Sequence, residues 1–197
     1  MNIILRFFAL LGIISLIPLI LFASFLVFFE DGLPIFFVQK RLGKKEKIFK
    51  LLKIRTMYNE TPNLGTHEIR VENYLKIGIF LRKTKIDELP QVLNFIIGNI
   101  DLVGPRPGLP NQDELLHYRR KHKVFRSKPG ITGLGQILGY DMSNPEILAK
   151  IDNLYISNKS IKLDIKILIA TFIKQYRSEI RSEFKNSIKI LEDASNV

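Results

Sequence analysis

From Phe7 to Phe29 the chain carries not one charged residue, and this run constrains the fold more than any other feature. As a helix it would extend roughly 34 Å, enough to cross a hydrocarbon core. Pro18, near its middle, removes a backbone donor and clashes with the preceding turn, so a helix through it should kink. Ser15 lies three residues before that proline. A kinked apolar helix can cross the bilayer or dip in and return, and the residues leave both routes open. Arg6 precedes the run, whereas Lys40, Arg41, Lys44, Lys45, Lys47, Lys50, Lys53 and Arg55 come after it with only Glu46 opposing. That excess places the downstream chain in the cytoplasm. A secretory signal peptide is the competing reading, but the run outlasts an ordinary signal core and no small-x-small cleavage site precedes Glu30.

The rest is long enough for one modest core, and no Pro/Gly/Ser-rich stretch divides it. With 46% hydrophobic and 25% charged residues it is not a disordered composition. The net charge of +11 calls for an anionic partner or surface. Cysteine is absent, so disulfide and thiolate chemistry are excluded, and His67, His117 and His122 fall on no metal-like spacing. We expect residues 1–31 as a membrane segment, 32–177 as a cytoplasmic catalytic domain and 178–197 as a tail of unassigned role.

After the break at Gly32 and Pro34, Ile35–Val38 and Ile48–Ile54 read as strands. Thr61–Thr66 reads as a loop, and Glu68–Arg82 has approximate helical spacing. Leu89–Ile97 is a second apolar helix closed by Gly98, and Ile100–Val103 leads into the stiff loop Gly104-Pro105-Arg106-Pro107-Gly108. Helices are expected near Asn111–Lys123, Pro145–Ser157 and Leu163–Tyr176. Between them lies the glycine-rich stretch Pro129–Gln136, which lacks the ending of a nucleotide P-loop. The fold class is α/β, mostly helical with a small sheet, with amphipathic helices at the membrane surface.

Thr84-Lys85-Ile86-Asp87-Glu88-Leu89-Pro90 resembles a helix start, with Thr84 able to cap and acids in the first turn. Read alone, a cap is the plainer explanation. Arg82, Lys83 and Lys85 surround the acids, however, so a phosphate could be held beside two carboxylates. A carboxylate can attack phosphorus once the substrate's charge is neutralised, and a magnesium ion held by carboxylate and diphosphate does that. Asp87 and Glu88 are therefore suited to serve as nucleophile and metal ligand. Arg106, between two prolines, is preorganised to grip an oxyanion, although an ordinary surface turn explains it equally well. The basic runs can be a solvated face, a surface for anionic lipid headgroups or a nucleic-acid patch, and the last is the poorest reading because they lack interleaved aromatics and any recognition motif.

Seven segments in order resemble the bacterial sugar transferase family, small monotopic phosphoglycosyl transferases. They are Phe37–Gly43, Phe49 through Lys53-Ile54-Arg55-Thr56-Met57, Leu81–Thr84, Asp87–Gln91, Val103–Pro107, Lys128–Gly133 and Leu163–Leu168. The resemblance implies a re-entrant helix broken at Pro18, with Ser15 near the break, dipping into the cytoplasmic leaflet of a bacterial inner membrane. It implies that Asp87 attacks the β-phosphate of a uridine diphosphate sugar, releasing uridine monophosphate (UMP), and that polyprenyl phosphate then displaces the phosphosugar. Glu88 assists through magnesium or proton handling. Arg82 and Arg106, the latter framed by Pro105, become anion or nucleotide contacts, as do Lys53 and Arg55. A homodimer is compatible with the resemblance.

Two positions depart from the family pattern. Ile17 stands where relatives often carry Ser before the proline, and Leu138-Gly139-Tyr140-Asp141 replaces an Asn-Gly-Arg-like turn, so the donor sugar is not specified. A non-catalytic basic module that docks membranes or a glycan-assembly partner is the alternative.

Overall fold

The structure, a computed structural model, describes residues 2–61 and 69–193. Most of the expected Thr61–Thr66 loop, and His67, lie outside them. The chain divides into two compact units, Met1–Lys40 with Lys50–Gly98 and Arg41–Phe49 with Asn99–Val197. A hairpin of β1 (Phe36–Leu42) and β2 (Ile48–Ile54) contributes to both. As the sequence suggested, the described residues are mostly helical with small sheets and one long N-terminal apolar helix.

In the first unit, α1 (Asn2–Asp31) is helical at every residue, with Pro18 inside it. Its Ala9–Asp31 stretch is long and apolar enough to cross a membrane, by length and composition, and most of it is exposed. Ala23 and Val27 pack with Ile54, Leu75 and Leu81, while Ile14, Leu21, Phe22, Phe25 and Phe29 stay exposed. At the end of α1, Glu30 and Asp31 sit where the helix dipole disfavours anions. Both are compensated from elsewhere in the unit. The Glu30 carboxylate accepts the backbone N–H groups of Lys76 at 2.6 Å and Ile77 at 2.9 Å, capping α2 (Lys76–Thr84). Asp31 pairs with Arg55 just past β2.

The helix expected at Glu68–Arg82 is shorter. Val71–Asn73 forms one 3-10 turn, and α2 starts only at Lys76, after Leu75 N–H bonds Thr56 O at 3.1 Å. Gly78 permits that approach, because a Cβ there would lie 2.2 Å from Thr56 O. Another 3-10 turn, Ile86–Glu88, connects α2 to α3 (Gln91–Ile97), which Gly98 closes in the left-handed conformation.

The second unit is built on two short parallel strands, β3 (Asp101–Val103) and β4 (Gly130–Thr132), paired Asp101 to Gly130 and Val103 to Thr132. Helices α4 (Asp113–Lys121), α5 (Leu134–Leu138), α6 (Pro145–Ser157), α7 (Ile161–Phe172) and α8 (Lys174–Asp193) complete it. Asn144 and Ser160 cap α6 and α7 through their side-chain oxygens. The helix expected over Leu163–Tyr176 is two helices, parted at Ile173. The Arg177 side chain reaches back to the carbonyls of Ala170 and Thr171, satisfying the end of α7 while starting α8. Leu134, Ile137, Ile151, Ile167, Ala170 and Ile180 form the core with Tyr155. Beside it, Arg119 and Asp152 form a buried ion pair through Nε at 3.0 Å and Nη2 at 2.6 Å.

Candidate active site

Asp87 and Glu88 do not begin an α-helix as expected. They occupy the 3-10 turn Ile86–Glu88, entered through Lys85 in the left-handed conformation (φ 60°). Thr84 caps nothing downstream, because its hydroxyl bonds back to the Phe80 and Leu81 carbonyls at 2.9 and 3.2 Å. The reversal at Lys85 turns the chain through a tight corner, and the two acids then meet different surroundings. Asp87 is 4% exposed. Glu88 is half-buried, and its Oε1 accepts a hydrogen bond from Lys53 Nζ at 3.0 Å.

Asn94, one turn into α3, fixes that geometry. Its side-chain Oδ1 accepts Leu52 N–H at 3.1 Å and its Nδ2 donates to Lys50 O at 2.7 Å, so the amide acts as an added rung on β2. Holding residues 50 and 52 this way sets Lys53 opposite Glu88. Sequence reasoning missed Asn94, since an Asn inside an apolar helix carries no signal of the strand it clasps. Glu30 and Asp31 were missed too, although acids at a helix C-terminus are a readable warning that cationic or N–H partners lie elsewhere.

Arg82 lies in the last turn of α2, half-buried, with its guanidinium carbon 4.9 Å from the centre of the Tyr74 ring. Arg55, expected as an anion contact, has a different placement. It is 4% exposed, its Nη1 bonds Asp31 Oδ2, and its Nη2 bonds the carbonyls of Asp31 and Gly32 at 3.1 and 2.7 Å. Both terminal nitrogens thus serve the end of α1, since an acid and two carbonyls gathered there need a buried cation.

Pro105 and Arg106 belong to the second unit. Gly104 N–H bonds Thr132 O and Gly130 N–H bonds Pro105 O, each at 2.9 Å. On the other side Arg41 Nη1 bonds Pro107 O at 2.9 Å and Leu42 N–H bonds Gly108 O at 3.0 Å. A Cβ on Gly130 would lie 2.1 Å from Gly104 N, and one on Gly133 would lie 2.1 Å from Gly104 O. The glycine-rich stretch therefore lets two backbones touch. Pro105 is buried and shapes this loop, while Arg106 is half-buried on it.

Among the described residues no cluster of three or more His, Cys, Asp or Glu side chains could hold a metal by itself. Magnesium does not need one, because it characteristically takes one or two carboxylates and completes its shell with phosphate and water. Adjacent hard oxygen donors on Asp87 and Glu88 fit that habit. The arrangement offers a secluded carboxylate beside one held by an ammonium group, with a guanidinium one turn earlier.

A family model described as bacterial sugar transferase matches residues 2–178, leaving most of α8 outside it. The chain is 42% identical over 166 residues to the uncharacterized sugar transferase EpsL of Bacillus subtilis, covering 82% of this chain and 79% of that one. It is 36% identical over 181 residues to the exopolysaccharide production protein ExoY of Sinorhizobium fredii, covering 83% and 79%. It is also 32% identical over 182 residues to the UDP-glucose:undecaprenyl-phosphate glucose-1-phosphate transferase of Xanthomonas campestris, covering 86% of this chain and 37% of that one.

Proposed function

The chain belongs to the bacterial sugar transferase family, and from that premise we propose that it moves a sugar phosphate from a uridine diphosphate sugar to undecaprenyl phosphate, releasing UMP. The product would begin assembly of a bacterial surface glycan. Membership in a family of transferases favours an enzyme over a docking module.

The observation that carries the reaction is the unequal acidic pair, Asp87 shut in and Glu88 held by Lys53. A carboxylate oxygen of Asp87 attacks the β-phosphorus of the donor, and the bond from that phosphorus to the UMP oxygen breaks. The sugar phosphate is then esterified to Asp87. A phosphate oxygen of undecaprenyl phosphate attacks the same phosphorus, the bond to Asp87 breaks, and the free carboxylate returns. Burial of Asp87 supports this order, since a secluded acyl phosphate is protected from water. Asp87 and Glu88 would hold Mg2+, which when bound neutralises diphosphate charge. Lys53 orients Glu88, and Arg82 and Arg106 supply anion contacts.

We place α1 as a re-entrant helix in the cytoplasmic leaflet, bent near Ser15 and Pro18. Both ends of α1 meet the same unit, which supports this placement. Glu30 caps α2, and the Arg6 guanidinium lies against Gly98 at the end of α3, with Nη2 2.9 Å from where a Cβ would stand. A straight span would carry one end about 30 Å away across the hydrocarbon. Exposed Ile79 and Phe80 on α2 and Leu93 and Ile97 on α3 suit helices resting at that surface.

A donor-sugar panel with undecaprenyl phosphate, read for UMP, tests the reaction. Release of uridine diphosphate instead would reassign the enzyme as an ordinary glycosyl transferase. Asp87→Asn should abolish turnover, and retention of most activity would remove Asp87 as nucleophile.

A further inference from the structure

Beyond residue 178, α8 carries Arg181, Lys185 and Lys189 at intervals of four, so the three cations stack along one helix face. Like charges at that spacing repel. Of the four acids of the same helix, Glu179 and Glu183 meet Lys166 of α7 at 3.3 and 2.9 Å, Glu192, which also lines the groove described next, accepts the Tyr140 hydroxyl at 2.5 Å, and Asp193 is the last residue. Among the described residues, none of the three cations has a hydrogen-bond or ion-pair partner.

The cationic face lines a groove. Leu138 and Tyr140, at the end of α5, line it too, and Ile188 adds apolar surface. Gly139 keeps the groove open between them, since it has φ +89° and a Cβ there would lie 3.2 Å from Arg181 Nη2. Tyr140 is fixed by its bond to Glu192, and burial followed by that carboxylate pushes its phenol up to about 12. It therefore stays neutral, so Glu192 is the one anionic group among the groove's lining residues, set against three cations. The row of cations runs about 12 Å along the helix, longer than one small ion can bridge.

We propose that this groove binds a phosphorylated organic anion, with phosphate oxygens along Arg181, Lys185 and Lys189 and the carbon skeleton against Leu138 and Ile188. Guanidinium and ammonium groups suit phosphate in complementary ways, one bidentate and one as a point charge. The phosphate can belong to a soluble nucleotide or to a lipid headgroup.

Calorimetric titration of inorganic pyrophosphate into the full chain in neutral detergent tests the proposal without turnover, so its result is separate from that of the reaction above. The variants are Arg181→Gln with Lys185→Gln, and a control of equal charge change in the same unit, Lys44→Gln with Lys45→Gln. The groove pair should weaken binding by about tenfold or more, and the control by less than about twofold. Lys189→Gln alone should weaken it by a smaller factor than the groove pair. Equal weakening by groove and control variants, or none from the groove pair, would overturn the proposal. Repeating the titration in phosphatidylcholine and phosphatidylglycerol nanodiscs identifies the source. Loss of pyrophosphate binding only in phosphatidylglycerol assigns the site to a lipid headgroup, and equal binding in both assigns it to a soluble anion.

Discussion

Replacing Gly78 by alanine sets local helix propensity against tertiary packing. Propensity alone favours alanine by up to about 1 kcal/mol in a helix interior. A Cβ at residue 78, however, would stand 2.2 Å from Thr56 O, 2.8 Å from its carbonyl carbon and 2.9 Å from its Cα. These are backbone atoms two residues past the end of β2, and they cannot rotate away. To reach an ordinary contact α2 must shift by about 1 Å. That shift stretches the two bonds from Lys76 and Ile77 N–H to Glu30, now 2.6 and 2.9 Å, beyond useful length. At the low end for bonds to a charged group, their loss costs about 3 kcal/mol. Set against the propensity gain, the net loss is about 2 kcal/mol. For a chain of this size that lowers Tm by about 4–8 °C. Thermal unfolding monitored by circular dichroism in detergent, wild type against Gly78→Ala, reads it directly. A Tm at or above that of wild type would refute the backbone contact as the reason for glycine.

Arg55→Ala should cost about 3 kcal/mol, because it leaves the Asp31 carboxylate without its cation, while the KM for the donor stays unchanged. A raised KM with intact stability would return Arg55 to substrate binding. Lys53→Met should raise the magnesium concentration for half-maximal turnover by about 10–100-fold, as loss of a ligand's supporting partner typically does. An unaltered magnesium dependence would exclude Lys53 from holding Glu88 in its working position. The His122 pKa lies below its ordinary value, through burial first and then Lys121 and Lys150, and its Nε2 is buried with no hydrogen-bond partner among the described residues. The unfolded chain therefore binds the proton more readily, so this stabilisation is complete above the ordinary histidine pKa of 6.5 and is lost as pH falls through the lowered one. Urea titrations between about pH 5 and 7 should show that slope in wild type and a flatter one in His122→Gln.

Much of the architecture was legible because it stems from local chemistry. The uncharged run predicted α1, the mix of apolar and basic residues over Ile48–Ile54 predicted β2, and α6 was expected at Pro145–Ser157, where it lies. The family was legible in the ordered motifs and was then shown by the comparisons. Errors arose where a distant group decides the local structure. Thr84 has the composition of a helix cap, yet a left-handed Lys85 turns the chain first, and the hydroxyl spends its bonds on α2. The apolar period runs unbroken past Phe172, yet the Arg177 guanidinium ends α7 there.

The sequence by itself determined the long apolar helix, the acidic pair among cations and the stiff Pro-Arg-Pro loop, since each is a property of contiguous residues. Only tertiary structure decided what those charges do. Arg55 and Lys53 lie two residues apart on one basic stretch, but one closes α1 against Asp31 and the other meets Glu88. The partner of a buried charge depends on which carboxylate the fold brings within about 3 Å, and no pattern along the chain specifies that.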